Sequence, residues 1–110
     1  MKIAIPVAEG RLTAHFGHAA EFVIIHVENQ EIGNNEILTP PPHEPGVLPR
    51  WLHELGVDVI VTGGMGQGAI GLFRENGIKV ITGAPNLTPE EIVSQYLSNT
   101  LVTRDNVCNH

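Results

Sequence analysis

Cysteine is nearly absent. Cys108 stands alone in 110 residues, so no internal disulfide is available to the fold. The N-terminus, MKIAIPV, is too short to be the apolar core of a signal peptide, and with the single cysteine this predicts a reducing, cytoplasmic setting. Positive charge is scarce as well. Six Lys and Arg, scattered along the chain, face twelve Asp and Glu, for a formal net charge of −6. That balance excludes the basic footprint of a nucleic-acid binder and the polybasic anchor of a membrane-surface protein. No apolar run approaches the roughly 20 residues of a transmembrane helix. Three catalytic signatures are missing too. There is no Gly-Lys-Ser/Thr phosphate loop, no G-x-S-x-G nucleophile turn, and no carboxylate in the first apolar stretch, Ile3-Ala4-Ile5-Pro6-Val7. A two-metal nuclease needs an acid in that first strand. Cys108, close to the chain end, has no rigid base predicted beside it and makes a poor nucleophile.

What is present is a globular composition, 42% hydrophobic and 16% charged, with twelve glycines and six histidines. A chain of this size forms one domain, residues 1–110, and buries roughly two thirds of its unfolded surface without disulfides or metals. Residues 2–7 are short, apolar and β-branched, and predict a first, central strand. Residues 21–28 predict a second, with Phe22, Ile24 and His26 on one face and Val23, Ile25 and Val27 on the other. Asn29-Gln30 turns the chain into a third strand, 31–38, antiparallel to the second. Its Gly33, Asn34 and Asn35 mark a weak, exposed edge.

Residues 39–47 hold four prolines and read as a stiff crossing loop carrying His43. A helix follows over 48–55, with Leu48, Trp51, Leu52 and Leu55 on one face and Gly56 as its stop. The next stretch organises the chain. An apolar run, 57–61, ends at Gly63-Gly64. A helical pattern of Ala69, Ile70, Leu72 and Phe73 stops at Gly77, and a second apolar run covers 78–81. This is a βαβ unit, whose two strands are parallel and joined by a right-handed crossover. Thr88-Pro89-Glu90-Glu91 then opens a last helix in capping-box form, with Ile92, Val93, Tyr96 and Leu97 buried. Residues 102–110 read as a flexible tail. The predicted fold class is therefore α/β: a mixed five-stranded sheet in the order 3-2-1-4-5 with helices on both faces. In that arrangement the loop carrying His15 and His18 faces the glycine loop across the carboxyl ends of the parallel strands, where open α/β sheets bind ligands.

Gly66-Gln67-Gly68-Ala69-Ile70-Gly71 matches G-x-G-x-x-G. In a dinucleotide fold those glycines admit a pyrophosphate to a helix N-terminus. Here, however, the motif follows the fourth strand rather than the first. Thr82-Gly83-Ala84 stands at the next strand tip, where an acidic ribose partner belongs. The alternatives are a tight strand-to-helix turn that needs glycine for its geometry, or a cradle for another anion. A nucleotide- or phosphate-binding module using residues 63–71 is the runner-up reading of function. His15-x-x-His18 either converges on a metal or bonds to its own loop. Cys108-x-His110 is either a thiolate–imidazole chelate for Cu, Zn or Fe, or an idle tail. His26 alternates with apolar residues as a core or surface histidine, and His53 falls on the solvent side of its helix.

Five pieces taken together, His15-Phe16-Gly17, His43-x-x-Gly46, Leu48-Pro49-x-Trp51-Leu52, Gly63-Gly64-Met65-Gly66 and Cys108-x-His110, resemble the dinitrogenase iron–molybdenum cofactor biosynthesis family. The resemblance spans nearly the whole chain, and Gly-Gly-Met-Gly after a strand is its most specific element. It implies a ribonuclease H-like fold without nuclease activity, and a non-catalytic role in carrying or assembling an iron–molybdenum or related metal–sulfur cluster between donor and acceptor proteins. It also implies the candidate site: Gly63, Gly64, Met65 and Gly66 as the cradle, with His15, His43, Cys108 and His110 as metal ligands. His18 joins them on its spacing from His15 alone.

Overall fold

A computed structural model of the protein describes residues 1–13, 19–42, 44 and 46–104. Nine elements follow in chain order: β1 (Lys2–Ala8), β2 (Arg11–Leu12), β3 (Glu21–Glu28), β4 (Glu31–Leu38), α1 (Val47–Glu54), β5 (Val59–Val61), α2 (Gln67–Glu75), β6 (Lys79–Ile81) and α3 (Pro89–Leu97). Among the described residues, six strands make one mixed sheet. Its main path runs β4-β3-β1-β5-β6, and β2 is attached to β1 off that path.

The sixth strand is a departure from the five expected, since residues 11 and 12 fall within a predicted loop. Glu9 and Gly10 both have positive φ, 55° and 80°, and this turn folds Arg11 and Leu12 back against Ala8 and Val7. Two paired residues are too few to show strand periodicity, so the signal lay in the turn.

β1 is apolar from Ile3 onward, and buried from Ile3 to Val7, because it is covered on both faces. It pairs antiparallel with β3 from Lys2–His26 to Val7–Glu21, and parallel with β5 at Ile3–Val59 and Ala4–Ile60. Ile3, Ile5 and Val7 join Val23, Ile25, Val59 and Val61 under α3, which contributes Ile92 and Val93. Ala4 joins Phe22, Ile24 and Ile60 under α1 and α2, which contribute Leu48, Leu52, Ile70 and Phe73. Trp51 of α1 meets the Phe22 ring edge to face at 5.7 Å. The layers are thus two helices, the sheet, and one helix.

The β3–β4 hairpin turns at Asn29-Gln30, both at positive φ, the two-residue turn whose twist suits paired strands. β4 is exposed along nearly its whole length, as expected of an edge strand, and a register shift interrupts its pairing with β3. That irregularity and the two glutamates on the strand discourage pairing with another chain.

β5 and β6 lie parallel in register, Val59–Lys79 to Val61–Ile81, with α2 as the crossover. The parallel strands β1, β5 and β6 therefore present their carboxyl ends at one edge of the sheet. α2 starts from that edge, immediately after β5 and its glycines.

Candidate functional site at the carboxyl edge

The chain leaves β5 at Thr62, a fully buried polar residue. Its amide donates to the Ile81 carbonyl at 2.9 Å, extending the parallel ladder by one rung, and its hydroxyl donates to the Gly64 carbonyl at 3.4 Å. A buried hydroxyl needs a partner, and here the partner is the turn it helps to form. Gly63 and Gly64 are buried, and Met65, 1% exposed, drops into the cluster under α1 and α2. The Met65 side chain therefore anchors the loop from below, while Gly66 reaches the surface as the N-cap of α2.

That N-cap offers no side chain. Gly66 takes the extended conformation, no side-chain hydrogen bond among the described residues closes the helix end, and no acidic residue lies in the first turn. The first helical bond runs from the Ile70 amide to the Gly66 carbonyl at 3.0 Å. The amides ahead of it have no carbonyl one turn back within the helix, and the aligned peptide dipoles add partial positive charge at the same place. An anion seated there needs no basic side chain.

The G-x-G-x-x-G match has a different geometric meaning from that in a dinucleotide fold. There the third glycine lets the helix approach the strand closely. Here a methyl group on Gly68 or Gly71 would meet nothing within 4 Å among the described residues outside the helix's own backbone. Neither position is dictated by close packing, so the motif's spacing arises without the contact that gives it its function.

Three other segments converge on this edge. The first is the loop between β1 and β3. Its roots are tied to the carboxyl end of β1, with the Thr13 amide on the Pro6 carbonyl at 3.0 Å and the Ala20 amide on the Val7 carbonyl at 2.9 Å. The second is the loop after β6. The Gly83 amide donates to the Gly63 carbonyl at 2.7 Å, and the Ala84 amide to the Thr62 carbonyl at 3.2 Å. Asn86 then holds the Leu12 carbonyl with its side-chain amide at 2.8 Å, while Leu12 returns a bond from its own amide to Leu87. The third is the segment after α3. Asn99, at φ 59°, reverses the chain, and Leu101 packs against the α3-side core. The Arg104 amide then reaches the Gly83 carbonyl at 2.7 Å.

Of the residues expected to form the site, Gly63, Gly64, Met65 and Gly66 lie together at this edge. His15, His18, His43, Cys108 and His110 lie outside the described residues. Among the described residues no group of three or more His, Cys, Asp or Glu side chains is placed to hold a metal ion. His26 sits on β3, half-buried, 4.0 Å from the Glu36 carboxylate of β4, and His53 is exposed on the last turn of α1. Neither belongs to the edge. Two organising residues were not singled out from the sequence, Thr62 and Gly83. The signal for Gly83 is a glycine two residues beyond the end of a parallel strand. Position 83 drew notice only for lacking an acid.

Residues 1–99 match the model of a family described as dinitrogenase iron-molybdenum cofactor. MJ0580 of Methanocaldococcus jannaschii is 33% identical to the chain over 106 residues, 92% of this chain and 89% of that one. The crystal structure of PH0822 has the same fold at a TM-score of 0.87, with 28% identity and 94% of each chain covered. The apo form of the orange protein from Desulfovibrio gigas is similar in fold at a TM-score of 0.74 and 24% identity, over 96% of this chain and 93% of that one.

Proposed function

The chain belongs to the dinitrogenase iron-molybdenum cofactor family, and from that membership we infer that its carboxyl edge holds an iron–molybdenum or related metal–sulfur cluster as cargo. The role is that of a carrier or scaffold, not a catalyst. The observation that supports this reading is the open N-terminus of α2, which has neither a capping side chain nor an acid in its first turn. It lies beside Gly63 and Gly64 at the edge where the roots of the His15 loop and the tail also arrive. An anionic cluster suits amides and a helix dipole. Direct ligation falls to His15, His43, Cys108 and His110, with His18 beside them. Imidazole and thiolate are the donors that iron and copper centres take. The Met65 contribution is the depth of its anchor, not a bond to metal. The sheet, with helices on both faces and no acid in β1, agrees with a ribonuclease H-like scaffold that has no nuclease chemistry. A carrier of this kind works between a cluster donor and a cluster acceptor protein in a reducing cytoplasm.

Anaerobic purification followed by reconstitution with iron, molybdate and sulfide tests this reading. Stoichiometric bound metal with a visible charge-transfer spectrum is the expected result. Retention is expected to fall as acidification protonates His and Cys ligands. If no metal is retained and none binds stoichiometrically, the reading is wrong. Thermal stabilisation by NAD or ATP in its place would instead favour the nucleotide module.

A further inference from the structure

Gly83 joins two segments that are far apart in sequence. Its amide donates to the Gly63 carbonyl and its carbonyl accepts from the Arg104 amide, both at 2.7 Å. It holds φ at 78°, in the region that favours glycine, and a Cβ placed on it would run into the Arg104 backbone. Only a residue without a side chain can serve both neighbours at once.

Among the described residues, the segment that docks there has little else to hold it. After α3 the chain is secured as far as Leu101. The Thr100 and Leu101 amides both donate to the Gln95 carbonyl, at 2.9 and 3.2 Å, and Leu101 packs on the core. Beyond it Val102 is 75% exposed, and Thr103 and Arg104 are exposed too. Among the described residues one main-chain bond fastens this strap, which is cheap to release, and its release removes the bond on the far side of Gly83 from the glycine loop.

We propose that residues 102–104 are a latch. Their docking on Gly83 holds the glycine loop in shape through the main chain, and undocking loosens the loop, so residues 102–104 and the loop open and close as one unit. As a means of regulating cargo retention, the latch rests on the function inferred above. As a property of the fold it does not, and the two are tested separately. Linkage makes the coupling reciprocal: whatever fixes the loop also fixes residues 102–104.

Three variants test it. Arg104→Pro removes the donor while leaving the core, Cys108 and His110 in the chain. A chain ending at Leu101 removes the whole strap but keeps its last core contact. Gly83→Ala adds the obstructing methyl. Amide hydrogen exchange is the readout. In Arg104→Pro and in the shortened chain, the Gly83 amide is expected to exchange about fivefold faster, the worth of one net hydrogen bond, with Ala84 following. The Val27 amide, bonded to the Met1 carbonyl at the opposite edge, serves as the control and stays unchanged. In Gly83→Ala, trypsin is expected to cut after Arg104 faster than in the parent, read as release of residues 105–110. Unchanged Gly83 exchange in Arg104→Pro, with the control steady, overturns the proposal even if Gly83→Ala fails to fold. After reconstitution with iron, molybdate and sulfide, Arg104→Pro is expected to lose metal about fivefold faster than the parent. If the parent binds no metal but the exchange coupling is present, the latch stands and the cluster function falls. If metal binds and is lost at the parent's rate from Arg104→Pro, the latch falls as a means of regulating cargo retention, and the function stands.

Discussion

α2 and α3 are both nine-residue helices, and they end their first turns in opposite ways. α3 is closed. The Thr88 hydroxyl accepts from the Glu91 amide at 3.4 Å, and the Glu91 carboxylate accepts from the Thr88 amide at 3.3 Å and from its hydroxyl at 2.8 Å. Those bonds, the side-chain one foremost, hold the Glu91 pKa below its ordinary value, with a smaller contribution from Arg11. Glu90 adds a second negative charge to the same turn. α2 has none of this. Its cap is Gly66, its first turn carries no acid, and among the described residues no side chain caps its amides. α1 also starts at a glycine without a side-chain cap, but Pro49 removes one of its first amides. The difference separates a helix end that stabilises itself from one left available to an external anion.

Substitutions that exchange or damage the two ends sharpen the contrast. The largest effect is expected beneath the open end. Met65→Ala leaves a cavity under the glycine loop and is expected to cost about 2–5 kcal/mol, seen in chemical denaturation. Loss of metal retention should accompany it, because the loop loses its anchor. Next comes the closed end. Thr88→Ala is expected to cost about 1 kcal/mol and to return the Glu91 pKa towards the usual carboxylate range, measurable by NMR titration, without affecting metal content. The sign of the pH effect follows from the direction of the shift. Because folding lowers the Glu91 pKa, its contribution is present above the unfolded value and is lost as pH falls through the folded one. α3 amides should therefore lose protection in acid before those of α2, which has no titrating cap.

Gly66→Asp converts the open end into a closed one. It is expected to gain a few tenths of a kcal/mol from capping while lowering cluster retention, since a carboxylate then occupies the anion's place. Unchanged retention would remove α2 from the site. The smallest effect is expected at Gly71. With open space around it among the described residues, Gly71→Ala should stabilise the helix by about 0.5–1 kcal/mol and leave metal binding as it was. A large loss of binding there would revive the glycine fingerprint.

Much of this contrast was legible in the chain. Thr88-Pro89-Glu90-Glu91 announces its own capping box because the bonds involved span only three residues. The Asn29-Gln30 turn, the hydrophobic runs of β1 and β3 and the glycines after β5 are equally local signals. The site was only partly legible. Its glycines could be placed at the edge from the βαβ pattern, but nothing in Gly-Gly-Met-Gly says that the Met65 side chain points into the core. Nor does G-x-G-x-x-G say that Gly68 and Gly71 stand clear of the sheet.

The sequence by itself determined the elements other than β2, the hairpin, the closed end of α3 and the absence of a side chain at the cap of α2. These follow from periodicity, turn chemistry and caps, which act within a few residues. Tertiary structure alone decided that Arg11 and Leu12 add a strand to β1 and that Thr62 turns the chain out of β5. It alone decided that Gly83 bridges Gly63 to Arg104. Those contacts are made largely by main-chain groups that every residue carries, so composition leaves almost no trace of them. What remains in the chain is a glycine where no side chain fits.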